Sequence, residues 1–453
     1  MSICDLTIGE LASKIATREV SCVGATDACL ERVARDNGRL NAFVTVLADQ
    51  AREQAARADE ELAAGVWRGP LHGVPLSLKD LIDLSGVPTT AGSRLLERHV
   101  ATADALVAAR LRAAGAVFLG KCNLHEFAFG TTSEDSAYGP VRNPFDPTRS
   151  AGGSSGGSAA AVVAGMGYAS VGTDTGGSIR IPSAVCGCVG LKPTFGELPC
   201  DGIIPLSRSL DHVGPIARSV GDAWLLYHAM AGTQNPVPLQ PASRRPSRTL
   251  RLGRLDPYFM DIVSDEVREQ FELETARLVR AGVAMSPRQI PHAADTATVY
   301  LHIQLPEASA YHAPALERRP RAYTPPVRQR LELGRYVMAE DYVRARTGAV
   351  VLCHEVDAAL DGCDALVLPT VPLAAAPIGS TTLTIGGQVQ PVRALMLRLT
   401  QLFDITGHPA ISLPCGRSHL NLPIGLQLVG RRHQTTELLK IAASCEAVMA
   451  QRE

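Results

Sequence analysis

Aromatic side chains are few. The 453 residues hold 9 Phe, 9 Tyr and 2 Trp, so the large core that a chain of this length can bury must be mostly aliphatic. An excess of charge of either sign is also missing. Forty-four basic residues face 45 acidic ones, a formal net charge of −1, which removes any bulk electrostatic case for direct nucleic-acid binding or for an anionic membrane. No stretch approaches the roughly 18 uninterrupted apolar residues of a membrane span; the most apolar window, Ala159 to Met166, is about half that length. The N-terminus has no basic segment followed by an apolar run and does not read as a signal peptide. Eleven cysteines, an odd number scattered from Cys4 to Cys445, form no disulfide framework, and reduced thiols in a cytoplasmic protein are the simplest reading. Cys186-Gly-Cys188 is the only close pair. A zinc site would want a second pair, so two small buried residues and no metal are expected there. The 40 glycines and 30 prolines stay well short of the roughly 25–30% that marks low-complexity chains. Disorder, collagen, coiled coil and disulfide miniprotein are excluded.

What remains is α/β syntax. Thr7-Ile-Gly-Glu10 begins like a capped helix, and Gln50 to Ala64 has helical periodicity. Val74 to Leu78 is strand-like and ends at Lys79-Asp80. Asp104 opens a helix that Gly115 closes, and Ala116 to Leu119 reads as a buried strand. The pattern returns later, with Ser264-Asp-Glu266 capping a helix and Ala365 to Leu368 forming a strand closed by Pro369. Thr382 to Val392, centred on Gly386-Gly387, predicts a β-hairpin. Pro236 to Arg248 is the best linker candidate.

The densest chemical signal is Gly152-Gly-Ser-Ser-Gly-Gly-Ser158, followed twenty residues on by Gly172-Thr-Asp-Thr-Gly-Gly-Ser-Ile-Arg180. Paired glycines before serine let several backbone N–H groups point at one spot, which suits phosphate binding or oxyanion stabilisation. Phosphate binding fails on context. The nearest P-loop match, Gly115 to Cys122, has Ala-Val-Phe-Leu where a cradle should be and Cys122 where the hydroxyl should be. A Ser-His-Asp hydrolase also fails: Gly152 to Gly156 fits the nucleophile-elbow pattern, but a polar, proline-broken loop precedes it instead of a strand. A Ser-Lys site survives, because burial can lower a lysine pKa until the amine acts as a base. Lys79, between Leu78 and Leu81, is the candidate base; the residues alone leave open a lysine that merely snorkels at a strand end, paired with Asp80.

Together these segments resemble the amidase signature family. Leu71-His-Gly-Val-Pro-Leu-Ser-Leu-Lys-Asp80 is similar to its catalytic-lysine strand, and Gly120-Lys-Cys-Asn-Leu-His-Glu-Phe127 to a second shared segment. The run from Arg142-Asn-Pro144 through both serine clusters to Gly190-Leu-Lys-Pro193 follows the signature. Asp211-His-Val-Gly-Pro215, Leu368-Pro-Thr370, Gly407 to Pro414 and Pro423 to Gln427 match as well. The resemblance implies an α/β fold with a mixed central β-sheet sandwiched between helices. It implies one amidase domain over residues 1–453, with a signature core at about 60–235 and a substrate-shaping second half at about 250–453. It assigns Ser178 as nucleophile, Ser154 as bridging serine after a cis peptide bond with Gly153, and Lys79 as base. The N–H groups of Thr175, Gly176, Gly177 and Ser178 form the expected oxyanion hole. Asp174 and Arg180 are expected to pair and shape the loop, Ser155 to tune the contact between Ser154 and Lys79, and Thr173 to support the loop. His125, His212 and His408 match no required role. No cofactor is implied.

The branch that includes the A subunit of glutamyl-tRNA amidotransferase is similar, yet two positions depart from it. That branch resembles Tyr-x-x-Ala-x-x-x-Arg before Pro369; Tyr342 and Ala345 fit, but Ala349 stands at the arginine position, and Leu397 stands where an acid for a glutamine amine is expected. Arg344 or Arg346 would supply the cation only if the register slips. The expected ligand is therefore a small-molecule amide other than glutamine. An amidotransferase subunit with accessory partners, and an idle scaffold of the same fold, stand as alternatives, and the helical N-terminus is compatible with a homodimer. Tyr311, His312, Tyr323, Tyr336, Met338 and Phe403 are candidate pocket-lining residues.

Overall fold

The computed structural model describes residues 2–233, 235–239 and 249–451. Its strands are β1 (Phe43–Val46), β2 (Pro75–Lys79), β3 (Val117–Cys122), β4 (Ala169–Asp174), β5 (Val189–Lys192), β6 (His212–Ala217), β7 (Arg251–Leu255), β8 (Ala284–Arg288), β9 (Ala365–Pro369), β10 (Thr382–Ile385), β11 (Gln388–Pro391), β12 (Ala410–Arg417) and β13 (Pro423–Val429). Eleven of them form one sheet in the order β1-β3-β2-β4-β6-β5-β12-β13-β9-β7-β8, and β10 and β11 make the expected hairpin. The sheet is mixed. Parallel pairs join β2 to β3 and β4 on one side and β7 to β8 and β9 on the other, while the strands between pair antiparallel. Every residue of β2 to β6, β9 and β13 is buried, so both faces of the sheet are covered and these strands need near-continuous apolar sequence. This is an α/β fold. Edge strand β8 is largely accessible and carries Pro287, whose missing N–H costs least at an edge.

Several elements begin or end elsewhere than the sequence pattern suggests. Strand β2 runs one residue further, which makes Lys79 its last residue, and β3 extends to Cys122. The helix expected from Asp104 starts at Leu106; Asp104 instead accepts the Ser85 N–H at 2.8 Å and pairs with Arg112. Helix Asp265–Arg280 follows Ser264, but the Ser264 side chain makes no capping bond. Thr7 and Glu10 do form a reciprocal capping box. Of the linker candidate Pro236–Arg248, residues 240–248 lie outside the described residues.

Topology positions the site. Leu78 of β2 is in parallel register with Val171 of β4, so Lys79 and Asp174 emerge at the same edge, the carboxyl ends where α/β sheets hold their ligands. Helix Gly156–Val163 begins at that edge, packed on both strands. Its second residue is glycine through close approach: a β-carbon on Gly157 would lie 2.3 Å from Asn123 O and 2.5 Å from Ala42 O. Gly157→Ala therefore loses about 1–3 kcal/mol of stability, read as a lower denaturation midpoint, although alanine is the better helix former.

Candidate active site

Lys79 is fully buried at the end of β2, and its Nζ donates to Ser154 Oγ at 2.7 Å and to Thr173 Oγ1 at 2.9 Å. Asp80 is not its partner: that carboxylate pairs with Lys121 at 3.2 Å and accepts Thr90. The snorkelling reading thus falls away, because Lys79 has no accessible surface and, among the described residues, no acid in contact. Burial lowers its pKa to about 7, against the upward pull of Asp174 and Asp211. Ser154 is wholly buried and follows the cis Gly153–Ser154 bond, whereas Ser178 keeps 6% of its surface accessible. Lys79 and Ser154 thus have no accessible surface, and Ser178 has little. The two serine loops are tied through backbone, Ser155 N–H to Ser178 O at 3.1 Å. Ser155 Oγ touches neither Ser154 nor Lys79; it donates to Thr173 O at 3.1 Å and so acts on the residue that anchors the amine.

Asp174 closes the second loop by accepting the N–H groups of Gly177 at 2.5 Å and Ile179 at 3.1 Å. The Gly177 N–H is thereby committed, which removes it from the expected set of oxyanion donors. Glycine is needed there for another reason: φ is +138°, and a β-carbon would meet Thr400 Oγ1 at 2.3 Å. A β-carbon on Gly176 would lie 2.5 Å from Tyr300 Oη. Thr175 Oγ1 donates to Asp211 at 2.6 Å, and burial raises that acid to about 6.

Beneath the loop, Arg180 is fully buried between two acids. It contacts both oxygens of Asp174 at 3.0 Å and Asp404 at 2.5 Å, and its Nη1 reaches Thr400 O and Gln427 Oε1. Burial alone would raise Asp174, but Arg180 holds it well below the usual carboxylate range, while burial and the charge of Asp174 push Asp404 upward. Lys192 is also buried and brought to about 7, donating to His408 O at 2.6 Å and to Pro193 O. His212, beside it, is held neutral chiefly by burial. Asp404, Gln427 and Tyr300 lie more than a hundred residues from the serine clusters in sequence, and no local motif marks their contact with that loop.

The pocket beside Thr173 and Thr175 has a volume of 220 Å³ and is walled by Ala128, Phe195, Ile203, Leu206 and Asp211. Its wall rests on Phe127 and Ala128, both left-handed at φ +49° and +58°, in a loop that Glu126 clasps by accepting Thr324 N–H and Oγ1–H. The expected lining residues differ. Tyr336 and Met338 stand at the surface, 83% and 56% exposed, and Tyr311 is half-exposed. His312 and Tyr323 pack with Phe127 as an aromatic cluster, and Phe403 is core. Arg344 and Arg346 point to solvent from helix Ala339–Leu360, so neither supplies a cation to the site.

A family model described as Amidase matches residues 24–439, and the chain belongs to this family. It is an enzyme that hydrolyses amide C–N bonds. An amidase of Pseudomonas putida is 42% identical over 428 residues, covering 92% of this chain and 90% of the relative. The A subunit of a glutamyl-tRNA(Gln) amidotransferase from Anaeromyxobacter dehalogenans is 37% identical over 480 residues, covering 98% and 96%. A solved amidase crystal structure superposes with a TM-score of 0.92 at 36% identity, over 98% of this chain and 99% of that one.

Removing the cation from the buried triad leaves two acids facing each other without compensation. Arg180→Met is expected to lower stability by about 3–5 kcal/mol in chemical denaturation. Arg180→Lys recovers only part of that, because an ammonium cannot span Asp174, Asp404 and Gln427 together.

Proposed function

We propose that this chain hydrolyses a small linear carboxylic amide through a Ser-Ser-Lys relay, releasing a carboxylate and ammonia or an amine. One observation carries the reading: a buried amine near neutrality, 2.7 Å from the hydroxyl of Ser154. In its free-base form Lys79 takes the Ser154 proton over that contact, while Ser154 Oγ takes the proton of Ser178. Ser178 Oγ then bonds to the amide carbon, and the carbonyl oxygen becomes an anion stabilised by the N–H groups of Thr175, Gly176 and Ser178. Collapse breaks the C–N bond, and the proton returns along the same relay to the leaving nitrogen. Water attacks the acyl-enzyme by the reverse route, so proton and acyl group balance without a cofactor.

A stand-alone amidase fits better than a glutamine-hydrolysing subunit. Leu397 packs against Gly176, and Ala349 lies on a helix whose neighbouring arginines face solvent, so neither an acid nor an arginine occupies the two positions a glutamine would need. The presence of Lys79, Ser154 and Ser178 in one chain, with Lys79 2.7 Å from Ser154, argues against an idle scaffold. All eleven cysteines are free thiols, in keeping with a cytoplasmic setting. No helix among the described residues is long and apolar enough to cross a membrane.

Ammonia release from a panel of primary amides, with glutamine included, is the direct test. Turnover of simple amides by the lone chain is expected, falling by at least about 10³-fold in Ser178→Ala and in Lys79→Ala. Glutaminase activity that appears only with added partner proteins would reverse the reading. The free base of Lys79 prevails above its pKa of about 7 and is lost below it, so kcat/KM for a non-ionising amide rises about tenfold per pH unit below neutrality and levels off above. Lys192, which titrates in the same range, is the control: Lys192→Met keeps that profile if Lys79 is the base.

A further inference from the structure

Beyond the serine loops, two arginines share one aromatic ring. Arg393, in helix Val392–Leu397, and Arg330, in helix Pro325–Gly334, hold their guanidinium carbons 5.8 and 5.9 Å from the centre of the Phe129 ring. Arg330 Nη1 donates to Phe129 O at 2.6 Å. Arg393 reaches only Gln304 Oε1, at 3.5 Å, and its Nε is buried without a hydrogen-bond partner although the residue as a whole is partly accessible. Among the described residues neither arginine has a carboxylate within ion-pair distance. The acid that acts on Arg330, Asp135, is already engaged with His125 at 3.2 Å. Burial and the charge of Arg393 bring Arg330 down to about 10, and burial moves Arg393 in the same direction. Two largely desolvated like charges with no counter-ion are unfavourable as they stand, and a bound anion relieves that cost.

Neighbours of the pair touch the serine loops on two sides. Tyr300, whose hydroxyl feels the charge of Arg393, lies against Gly176 of the oxyanion loop. Phe129 belongs to the loop whose His125 N–H donates to Ser154 O at 3.2 Å. Leu397, one helical turn after Arg393, also packs on Gly176, and these two residues, though not Arg330, line a 300 Å³ cavity.

We propose that Arg393 and Arg330 form an anion subsite for the acyl end of the substrate, so that the amide this enzyme hydrolyses carries a carboxylate: the half-amide of a dicarboxylic acid. The proposal rests on the amidase reading of Ser178 and names its substrate class. Two guanidinium groups match the two oxygens of a carboxylate, and arginine keeps its charge under the desolvation a bound substrate imposes. Asp135, the acid that acts on Arg330, is engaged with His125, and Phe129, Tyr300, Leu397 and Gln304 carry no charge for an α-ammonium, which favours a plain dicarboxylate over an amino acid.

Matched substrates test it: succinamate against butyramide, and glutaramate against valeramide, each with the full-length enzyme. In both pairs kcat/KM for the charged member is expected to exceed the neutral one by at least about 100-fold. Arg393→Met brings the ratio to within about tenfold, with Arg393→Lys between. A measurement on the unaltered enzyme does not depend on a variant folding: succinate is expected to compete at far lower concentration than butyrate. Equal turnover of charged and neutral amides, abolished by Ser178→Ala, overturns the subsite and leaves the amidase reading intact. If no aliphatic or aryl amide is turned over at all, the reading of Ser178 fails and the subsite falls with it.

Discussion

Taking a lysine out of water is the constraint on which this site depends. An ammonium at the position of Lys79 would lose its hydration and gain no carboxylate in exchange, so the amine gives up its preference for charge. Asp174 and Asp211 lie close enough to pull the other way, and each is occupied: Asp174 by Arg180 and the Gly177 and Ile179 N–H groups, Asp211 by Thr175 and the Leu206 and Ser207 N–H groups. The site therefore places negative charge near the lysine but denies it a contact. A full ion pair would keep Lys79 protonated and unfit for the role of base proposed for it; complete isolation would leave nothing to orient it.

Buried cations recur through the centre of the sheet, and their partners set their state. Only five lysines occur in the whole sequence. Lys79, Lys121 and Lys192 are fully buried, while Lys14 and Lys440 make exposed pairs on the surface. Lys121 has Asp80 at 3.2 Å, and Lys192 has mainly backbone carbonyls and His212. Arg180 stands apart, because a guanidinium keeps its charge and can bridge two acids. It carries the loop that bears Ser178, fastening residues near 174 to Thr400, Asp404 and Gln427.

Backbone demands are the legible part. Glycine pairs before serines mark turns that other residues resist, so both loops and Ser154 and Ser178 stand out in the sequence, as do strands β2, β3 and β9 by their apolar runs. Tertiary partners are not legible. Asp80 beside Lys79 invites pairing along the chain, yet Lys121 on the neighbouring strand claims it, and only parallel register reveals this. Gly177 reads as an oxyanion donor, but the Asp174 carboxylate takes its N–H. Tyr336 and Met338 suggest a pocket by residue type, whereas their helix ends place them in solvent. Conversely Tyr300, from a helix, and Thr400, from the turn before one, reach the loop that bears Ser178 with no local signal. A single apolar or charged residue on a helix does not announce which loop, hundreds of positions away, it will touch.

With so few lysines, the protonation of Lys79 can be watched directly. Protein grown with lysine labelled at Cε should give five resonances, and Lys79→Met identifies the one that belongs to the site. This signal is expected to titrate near pH 7, together with the rise in kcat/KM. A Lys79 signal that titrates near 10, as a solvated lysine does, would contradict it.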